Sequence, residues 1–189
     1  MESKLASRFE EALLYASQLH ALQTRKVSGN PYIAHLLSVA ALVLEDGGTE
    51  DEAIAALLHD AIEDQGGDQT RQEIRRRFGE KVTEIVNGCT DAETMPKPPW
   101  RERKEKFISS LASASPEVIR VSTADKLDNV RSLLVYYNRF GELVWDKFKG
   151  KRDGTIWYYE AVTGAIRARS NGGMAQALEK AVEELKLLK

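Results

Sequence analysis

The sequence predicts an all-α protein. Apolar residues recur at spacings of three and four along most of its 189 residues, as on one face of a helix. Glycine or proline separates these apolar segments, and no segment alternates apolar with polar residues as a strand would. The composition, 42% hydrophobic and 30% charged, is typical of a globular protein with a buried core. We therefore expect helices that pack around one core.

The N-terminal helices follow from capping residues and helix breaks. The first helix carries Phe9 and Leu13 on one face. The second begins at Pro31, because proline suits a first turn, and the third begins at Thr49, where Glu52 completes a capping box. Glycines end the second and third helices and separate the next two. The expected spans after the first helix are 31–46, 49–66, 70–78 and 80–89.

The C-terminal half combines helices with two irregular segments. Three prolines exclude a continuous helix over 91–99, and 147–154 is rich in glycine and charged residues. Pro116 begins a long apolar helix, and Gly172 with Gly173 separates the last two helices. The expected helices of this half are 100–113, 116–137, one that contains 157–159, and 175–188.

Charge and cysteine content limit the functional classes. The net charge of −2 and the pI of 6.0 predict neither nucleic acid nor an anionic membrane as a partner. The single cysteine, Cys89, excludes an intrachain disulfide and fits a reducing compartment. Neither a signal peptide nor a membrane helix is indicated. We expect a cytoplasmic protein with one domain over 1–189, in which helices of 153–189 complete a core of 1–140.

The segment AIAALLHDAIEDQ predicts one wall of a metal site. It places His59, Asp60, Glu63 and Asp64 among alanine, isoleucine and leucine in a helical pattern. Burial of an unpaired carboxylate is unfavourable, and neighbouring carboxylates also repel one another. A bound cation removes both penalties.

Two residues elsewhere in the chain complete a ligand set. His35 lies on the second helix, and Asp125 lies in the apolar run VIRVSTADKLDNVRSLL. A histidine on an apolar face is often a hydrogen-bonded core residue, and Asp125 also fits a buried ion pair. Together with His59 and Asp60, however, they favour a site for Mn²⁺ or Fe²⁺, and Zn²⁺ accepts the same donors. His20 is expected to be structural or to lie beside a ligand.

Three stretches carry a family resemblance. RKVSGNPYIAH (25–35), ALLHDAIED (56–64) and ADKLDNVR (124–131), in this order, resemble the HD superfamily of metal-dependent phosphohydrolases. Within that superfamily, the sequence is most similar to the (p)ppGpp-hydrolase branch found in Rel/SpoT enzymes and small alarmone hydrolases. The resemblance covers 1–140 and implies an HD-domain helical bundle. Beyond that range it is loose and depends chiefly on WYYEA (157–161).

The resemblance also implies catalytic roles for Glu63 and Asp64. They follow Asp60 by three and four residues and so share its helix face. A carboxylate beside the ion can orient a water molecule or accept its proton, so this pair is expected to handle water and proton transfer. The alternative is a solvated last turn of the helix.

Several residues are expected to bind substrate. The resemblance implies that Arg25 and Lys26 grip a guanine base, although a solvated loop is the alternative. It places Asn129 against the nucleotide sugar or phosphate, with Asp128 expected at the surface. It also places Tyr158 beside the nucleotide, where core packing is the alternative.

A basic helix face is a further candidate for contact with phosphate groups. Within 100–113, Arg101, Arg103, Lys104 and Lys106 give that helix a basic face. From this face we expect Arg101 and Lys104 to neutralise pyrophosphate groups, although such faces are usually solvated.

The expected function is a stand-alone (p)ppGpp 3′-pyrophosphohydrolase, in which metal-activated water releases pyrophosphate and leaves GDP or GTP. The expected partner is a small-molecule nucleotide, and no protein partner is indicated. Two alternatives stay open: hydrolysis of another nucleotide (ppApp, NADPH or a dNMP), and a nucleotide-sensing module without turnover. The segments 91–99 and 145–154 have no counterpart in the resemblance, so substrate choice is the least constrained feature.

Overall fold

The computed structural model describes residues 5–92 and 96–188, and over these residues it contains helices and no strand. The helices are α1 (Ser7–Leu19), α2 (Ile33–Glu45), α3 (Glu50–Leu58), α4 (Ala61–Asp64), α5 (Asp68–Phe78), α6 (Glu80–Cys89), α7 (Trp100–Ser110), α8 (Pro116–Phe140), α9 (Lys151–Arg167) and α10 (Gly173–Lys186). A 3₁₀ helix, Gly141–Lys147, follows α8. The all-α prediction is confirmed. Within the described ranges, no helix combines the length and apolarity that crossing a membrane requires.

Helix α8 passes between two hydrophobic clusters. Its residues Val118, Val121 and Ala124 pack with residues of α1 to α6. Further along, Leu127 and Val130 pack with α7, the 3₁₀ helix, α9 and α10. Polar residues of α8 at the junction are therefore fixed relative to both clusters, because one continuous helix contributes to each.

Two predicted helix starts are confirmed in detail. The Thr49 side chain accepts a hydrogen bond from the backbone N–H of Glu52, and the Glu52 carboxylate accepts one from the backbone N–H of Thr49 at 2.7 Å. At the start of α8, the Ser115 side chain accepts from the backbone N–H of Val118, and Pro116 occupies the first turn. These caps satisfy N–H groups that a helix start leaves unpaired.

The second helix begins at Ile33 rather than at the predicted Pro31, which pairs with Thr24 in an isolated β-bridge. Two larger differences from the expected spans lie further along the chain. The span 49–66 is two helices, because the chain turns at His59 and Asp60 between α3 and α4. The segment 147–154 is more regular than expected, since the 3₁₀ helix reaches Lys147 and α9 begins at Lys151. In the segment 91–99, residues 91–92 and 96–99 are not helical, and the other three lie outside the described residues. The single-domain organisation stays a prediction.

Candidate active site

The side chains predicted as metal ligands meet where α2, the turn between α3 and α4, and α8 come together. One donor atom from each of His35, His59 and Asp125 lies within 4.8 Å of the other two. Asp60 joins them, because its Oδ2 is 3.1 Å from His59 Nε2 and 3.8 Å from His35 Nε2. All four side chains therefore surround one small volume.

The two histidines have the hydrogen bonding that a metal site needs. Both Nε2 atoms are buried and lack a hydrogen-bond partner among the described residues. The Nδ1–H of His59 donates to the Ala56 carbonyl oxygen at 2.8 Å, and that of His35 donates to Asp128 Oδ2 at 2.6 Å. With hydrogen on Nδ1, each ring presents the lone pair of Nε2 to the ligand cluster. A cation would satisfy both nitrogens, so the residues fit a metal.

The electrostatics of the cluster also favour a positive charge between its carboxylates. Burial favours neutral His59, but Asp60 and Asp125 outweigh it and raise the pKa of His59 well above its ordinary value. Burial also favours neutral Asp60, yet the positive charge of protonated His59 holds the pKa of Asp60 below its ordinary value. A divalent cation supplies the same kind of stabilisation more strongly.

Neighbouring polar groups orient the two carboxylates. The hydroxyl of Tyr32 donates to Asp60 Oδ2, and Nδ2 of Asn129 donates to Asp125 Oδ1. The ammonium of Lys126 pairs with the other oxygen of Asp125. Burial opposes the charge on Lys126, but Asp125 raises the pKa of Lys126 well above its ordinary value. Both carboxylates are thus held by a second contact, as is usual around metal ligands.

Two residues of the ligand cluster, Asp60 and Asp125, line a cleft of about 700 Å³, a volume in the range of small-molecule sites. Glu63 and Asp64 line the same cleft. Lys97 Nζ lies 2.7 Å from Glu63 Oε1 and 3.7 Å from Asp64 Oδ1. Burial raises the pKa of Glu63, and Asp91 raises it further against the effect of Lys97. A carboxylate with a raised pKa is a better proton acceptor near neutral pH.

Helix α7 supplies a basic side to the cleft. Arg103 and Lys104 both line it, and both pair with the carboxylate of Asp91. Lys104 Nζ also lies 4.7 Å from the centre of the Tyr158 ring. The buried hydroxyl of Tyr158 has no hydrogen-bond partner in the part of the chain that the structure describes. These groups together form a surface suited to an anionic ligand.

The structure does not bring Arg101 to the cleft. Its side chain is exposed, pairs with Glu105 at 2.6 Å, and lies 3.2 Å from the centre of the Trp157 ring. The positions of α7 that line the cleft include 103 and 104, and 101 projects from a different face of the helix. The predicted contact between Arg101 and substrate therefore has no support from its position.

A side pocket of about 170 Å³ adjoins the cleft. The residues that line both cavities include Lys26, Tyr32, Asn129 and Phe148. Arg25 lines the side pocket but not the cleft. The NH1 group of Arg25 donates to Asn129 Oδ1 at 3.0 Å. The pocket thus combines cations, an amide and aromatic rings, which are groups that stack on and hydrogen-bond to a purine.

Comparison with known families identifies this arrangement. A family model described as the HD domain matches residues 12–156. The chain belongs to the HD-domain family. All four predicted metal ligands, and most of the residues that line the cleft, lie in the matched range.

Two relatives and one solved structure are similar to the chain. Guanosine-3′,5′-bis(diphosphate) 3′-pyrophosphohydrolase MESH1 of Mus musculus is 33% identical over 183 residues, which cover 95% of the chain and 93% of that relative. The guanosine-3′,5′-bis(diphosphate) 3′-pyrophosphohydrolase of Aquifex aeolicus is 40% identical over 132 residues, which cover 69% of the chain and 18% of that relative. A solved structure described as a metazoan ortholog of SpoT that hydrolyzes ppGpp has a TM-score of 0.81 and 26% identity, over 99% of the chain and 100% of that protein.

The sequence did not predict the positions of several residues in and around the cleft. The clearest error is Asp128, which was expected at the surface but is largely buried and contacts His35. His20 is expected to be structural or to lie beside a ligand, and its ring stacks on that of Tyr32 with centres 5.4 Å apart. The sequence predicted no role for several other residues that line the cleft, among them Tyr32, Asp91, Lys97, Lys126, Lys147 and Lys149.

Proposed function

We propose that the chain hydrolyses the 3′-pyrophosphate of guanosine 3′,5′-bis(diphosphate) or its 5′-triphosphate form, and releases pyrophosphate with GDP or GTP. One observation carries the proposal: two histidines and two carboxylates meet beside a cleft in which cations outnumber the remaining carboxylates. Such a site can bind a polyphosphate and stabilise the charge that develops during its hydrolysis. The names of the mouse and Aquifex relatives support a guanosine substrate.

The proposed cofactor is Mn²⁺, held by His35, His59, Asp60 and Asp125. Two imidazoles with two carboxylates suit Mn²⁺ and Fe²⁺, and Zn²⁺ accepts the same donors. When bound, the ion would supply positive charge at the phosphoryl oxygens and lower the pKa of a water molecule.

Glu63 and Asp64 are the proposed proton-handling residues. In the proposed reaction, a water oxygen bonds to the phosphorus attached to the 3′ oxygen, and the bond between that phosphorus and the 3′ oxygen breaks. Glu63 accepts the proton that water loses, because its raised pKa suits that role. Asp64 orients the water. The departing 3′ oxygen takes up a proton from solvent, and Glu63 returns its proton to solvent, so the step is balanced. The pair of Lys97 with Glu63 places an ammonium where pyrophosphate leaves.

The nucleotide is proposed to bind across both cavities. Arg25 and Lys26 hold the guanine base in the side pocket, and Asn129 lies at the boundary with the cleft, where the sugar would follow. Lys104 and the hydroxyl of Tyr158, which has no hydrogen-bond partner among the described residues, then face the phosphate groups. This placement lets the pyrophosphate reach the metal ligands while the base stays in the side pocket.

The test is incubation of the metal-loaded protein with ppGpp, pppGpp, ppApp, NADPH and a set of dNMPs, with chelator-treated protein as the control. We expect pyrophosphate and GDP or GTP from the guanosine substrates, and only when metal is present. Hydrolysis of another nucleotide alone would replace the proposed substrate. Metal binding without hydrolysis of any nucleotide would contradict the enzymatic function and favour a sensing module.

A further inference from the structure

Asp128 contacts the metal ligand His35 from outside the ligand cluster. It follows Asp125 on α8 by nearly one helical turn, and its Oδ2 accepts from His35 Nδ1 at 2.6 Å. Its Oδ1 accepts from the hydroxyl of Ser38, which is one turn after His35 on α2. The side chain of Asp128 is only 14% exposed, so water competes little for these bonds.

This contact determines which nitrogen of His35 carries hydrogen. A carboxylate only accepts hydrogen bonds, so the nitrogen facing Asp128 must be the donor. The other nitrogen, Nε2, then keeps its lone pair and faces Asp60 at 3.8 Å and Asp125 at 3.3 Å. In the opposite tautomer, Nε2–H would occupy the direction in which a metal must bind.

Asp128 also lies between His35 and the side pocket. Arg25 NH2 is 3.8 Å from Asp128 Oδ2, and Arg25 NH1 donates to Asn129, whose amide donates in turn to Asp125. Arg25 thus reaches two proposed ligands, each through one intervening side chain. The loop that carries Arg25 and the ligand cluster are therefore parts of one hydrogen-bonded network.

We propose that Asp128 is a positioning residue for the metal centre: it holds His35 in the tautomer and orientation that present Nε2 to the ion, and it connects that ligand to Arg25. Asp125 and Asp128 lie on the same helix but differ in role: Asp125 presents its carboxylate to the ligand cluster, whereas Asp128 contacts His35 from outside it. The inference rests on the proposed function only in requiring a metal at His35.

The test measures Mn²⁺ and Zn²⁺ affinity of the full chain after metal removal, by competition with a chelating dye. We expect Asp128→Ala to bind metal about 10- to 100-fold more weakly, as for loss of a residue that orients a ligand. Asp128→Asn keeps an oxygen that can accept from Nδ1–H, so it should recover most of the affinity. The matched control is Glu117→Ala, which removes a carboxylate of α8 that pairs with Lys81 at the surface; its affinity should equal that of the unaltered protein.

Two results would overturn the proposal: a folded Asp128→Ala variant with unaltered metal affinity, or Asp128→Asn as weak as Asp128→Ala. Thermal unfolding without metal establishes whether each variant folds. If Asp128→Ala does not fold, Ser38→Ala and Arg25→Ala remove contacts to Asp128 and leave it in place. Unaltered affinity in both would then overturn the proposal, and a several-fold loss would support it.

Unaltered protein that binds metal but hydrolyses no alarmone would refute the proposed function and leave the role of Asp128 standing.

Discussion

The two sides of the cleft hold their charges in different ways. The metal side, formed by α2, the turn between α3 and α4, and α8, places His35 and His59 in the core, and their Nε2 atoms have no hydrogen-bond partner among the described residues. The basic side, formed by α7 with 96–99 and 147–150, consists of lysine and arginine side chains that are paired or exposed. Arg103 and Lys104 pair with the same carboxylate, whereas Lys147 and Lys149 are exposed and pair with no carboxylate of the described residues.

Because of this difference, we expect the metal side to carry the reaction and the basic side to contribute affinity for the substrate. A charge in a buried site interacts strongly, because little water or salt lies between it and its neighbours. An exposed charge is weakened by water and is screened by salt over a distance of about 8–10 Å. We therefore expect changes on the metal side to affect kcat by large factors, and changes on the basic side to affect KM by smaller ones.

The largest effect is expected from Asp60→Ala. This variant loses one proposed ligand, so bound Mn²⁺ should fall and kcat/KM should drop by at least about 100-fold. Metal content by elemental analysis and pyrophosphate release measure the two effects. Full activity with unchanged metal content would show that Asp60 is not a ligand and would remove the main contrast between the two sides.

The next effect is expected from Glu63→Gln. The amide has the shape of the carboxylate but cannot accept a proton, so kcat should fall by about 10²- to 10⁴-fold while metal binding persists. The matched control is Glu105→Gln on the outer face of α7, which should keep its activity. A Glu63→Gln variant that purifies without metal would instead assign Glu63 to metal binding.

The metal side could be predicted from the sequence because its residues are chemically unfavourable without a ligand. Asp60 and Asp125 interrupt apolar helical runs, and their cost of burial is visible in a single chain. The helical spacing also predicted most element boundaries. The break between α3 and α4 was missed, since no glycine or proline marks it. The role of Asp128 was missed because it depends on how α2 and α8 pack.

The basic side could not be predicted at the level of residues. The sequence does not distinguish which cations of α7 face the cleft, because Arg101, Arg103 and Lys104 all lie near the start of the same helix. The face on which each residue lies depends on the rotation of α7 about its axis. The burial of Phe107 against α8, α9 and α10 fixes that rotation. Local sequence carries no information on that packing, so it predicts a substrate contact for Arg101, which the structure places outside the cleft, and none for Arg103, which lines it.

A smaller effect is expected when Lys104 is compared with Arg101. Lys104→Met removes a cation that lines the cleft, so KM for ppGpp should rise about 10-fold, the value of one charge-assisted hydrogen bond. Arg101→Met removes a cation from the exposed face and should change KM by less than about twofold. Steady-state kinetics on the two variants test the orientation of α7. Equal effects on KM would show that charge near the cleft matters more than the face on which it lies.

The smallest effect is expected from Lys147→Ala combined with Lys149→Ala. Both side chains line the cleft from its exposed rim, where they can attract a polyphosphate without a fixed contact. KM for pppGpp should rise about threefold at low salt, and the difference should shrink at about 0.5 M salt, because screening already weakens exposed charges there. Lys180→Ala, an exposed lysine on α10 that does not line the cleft, is the matched control. A loss that persists at high salt, or one that appears in kcat, would mean that these lysines contact the reacting phosphate directly, and the division between the two sides of the cleft would then fail at its rim.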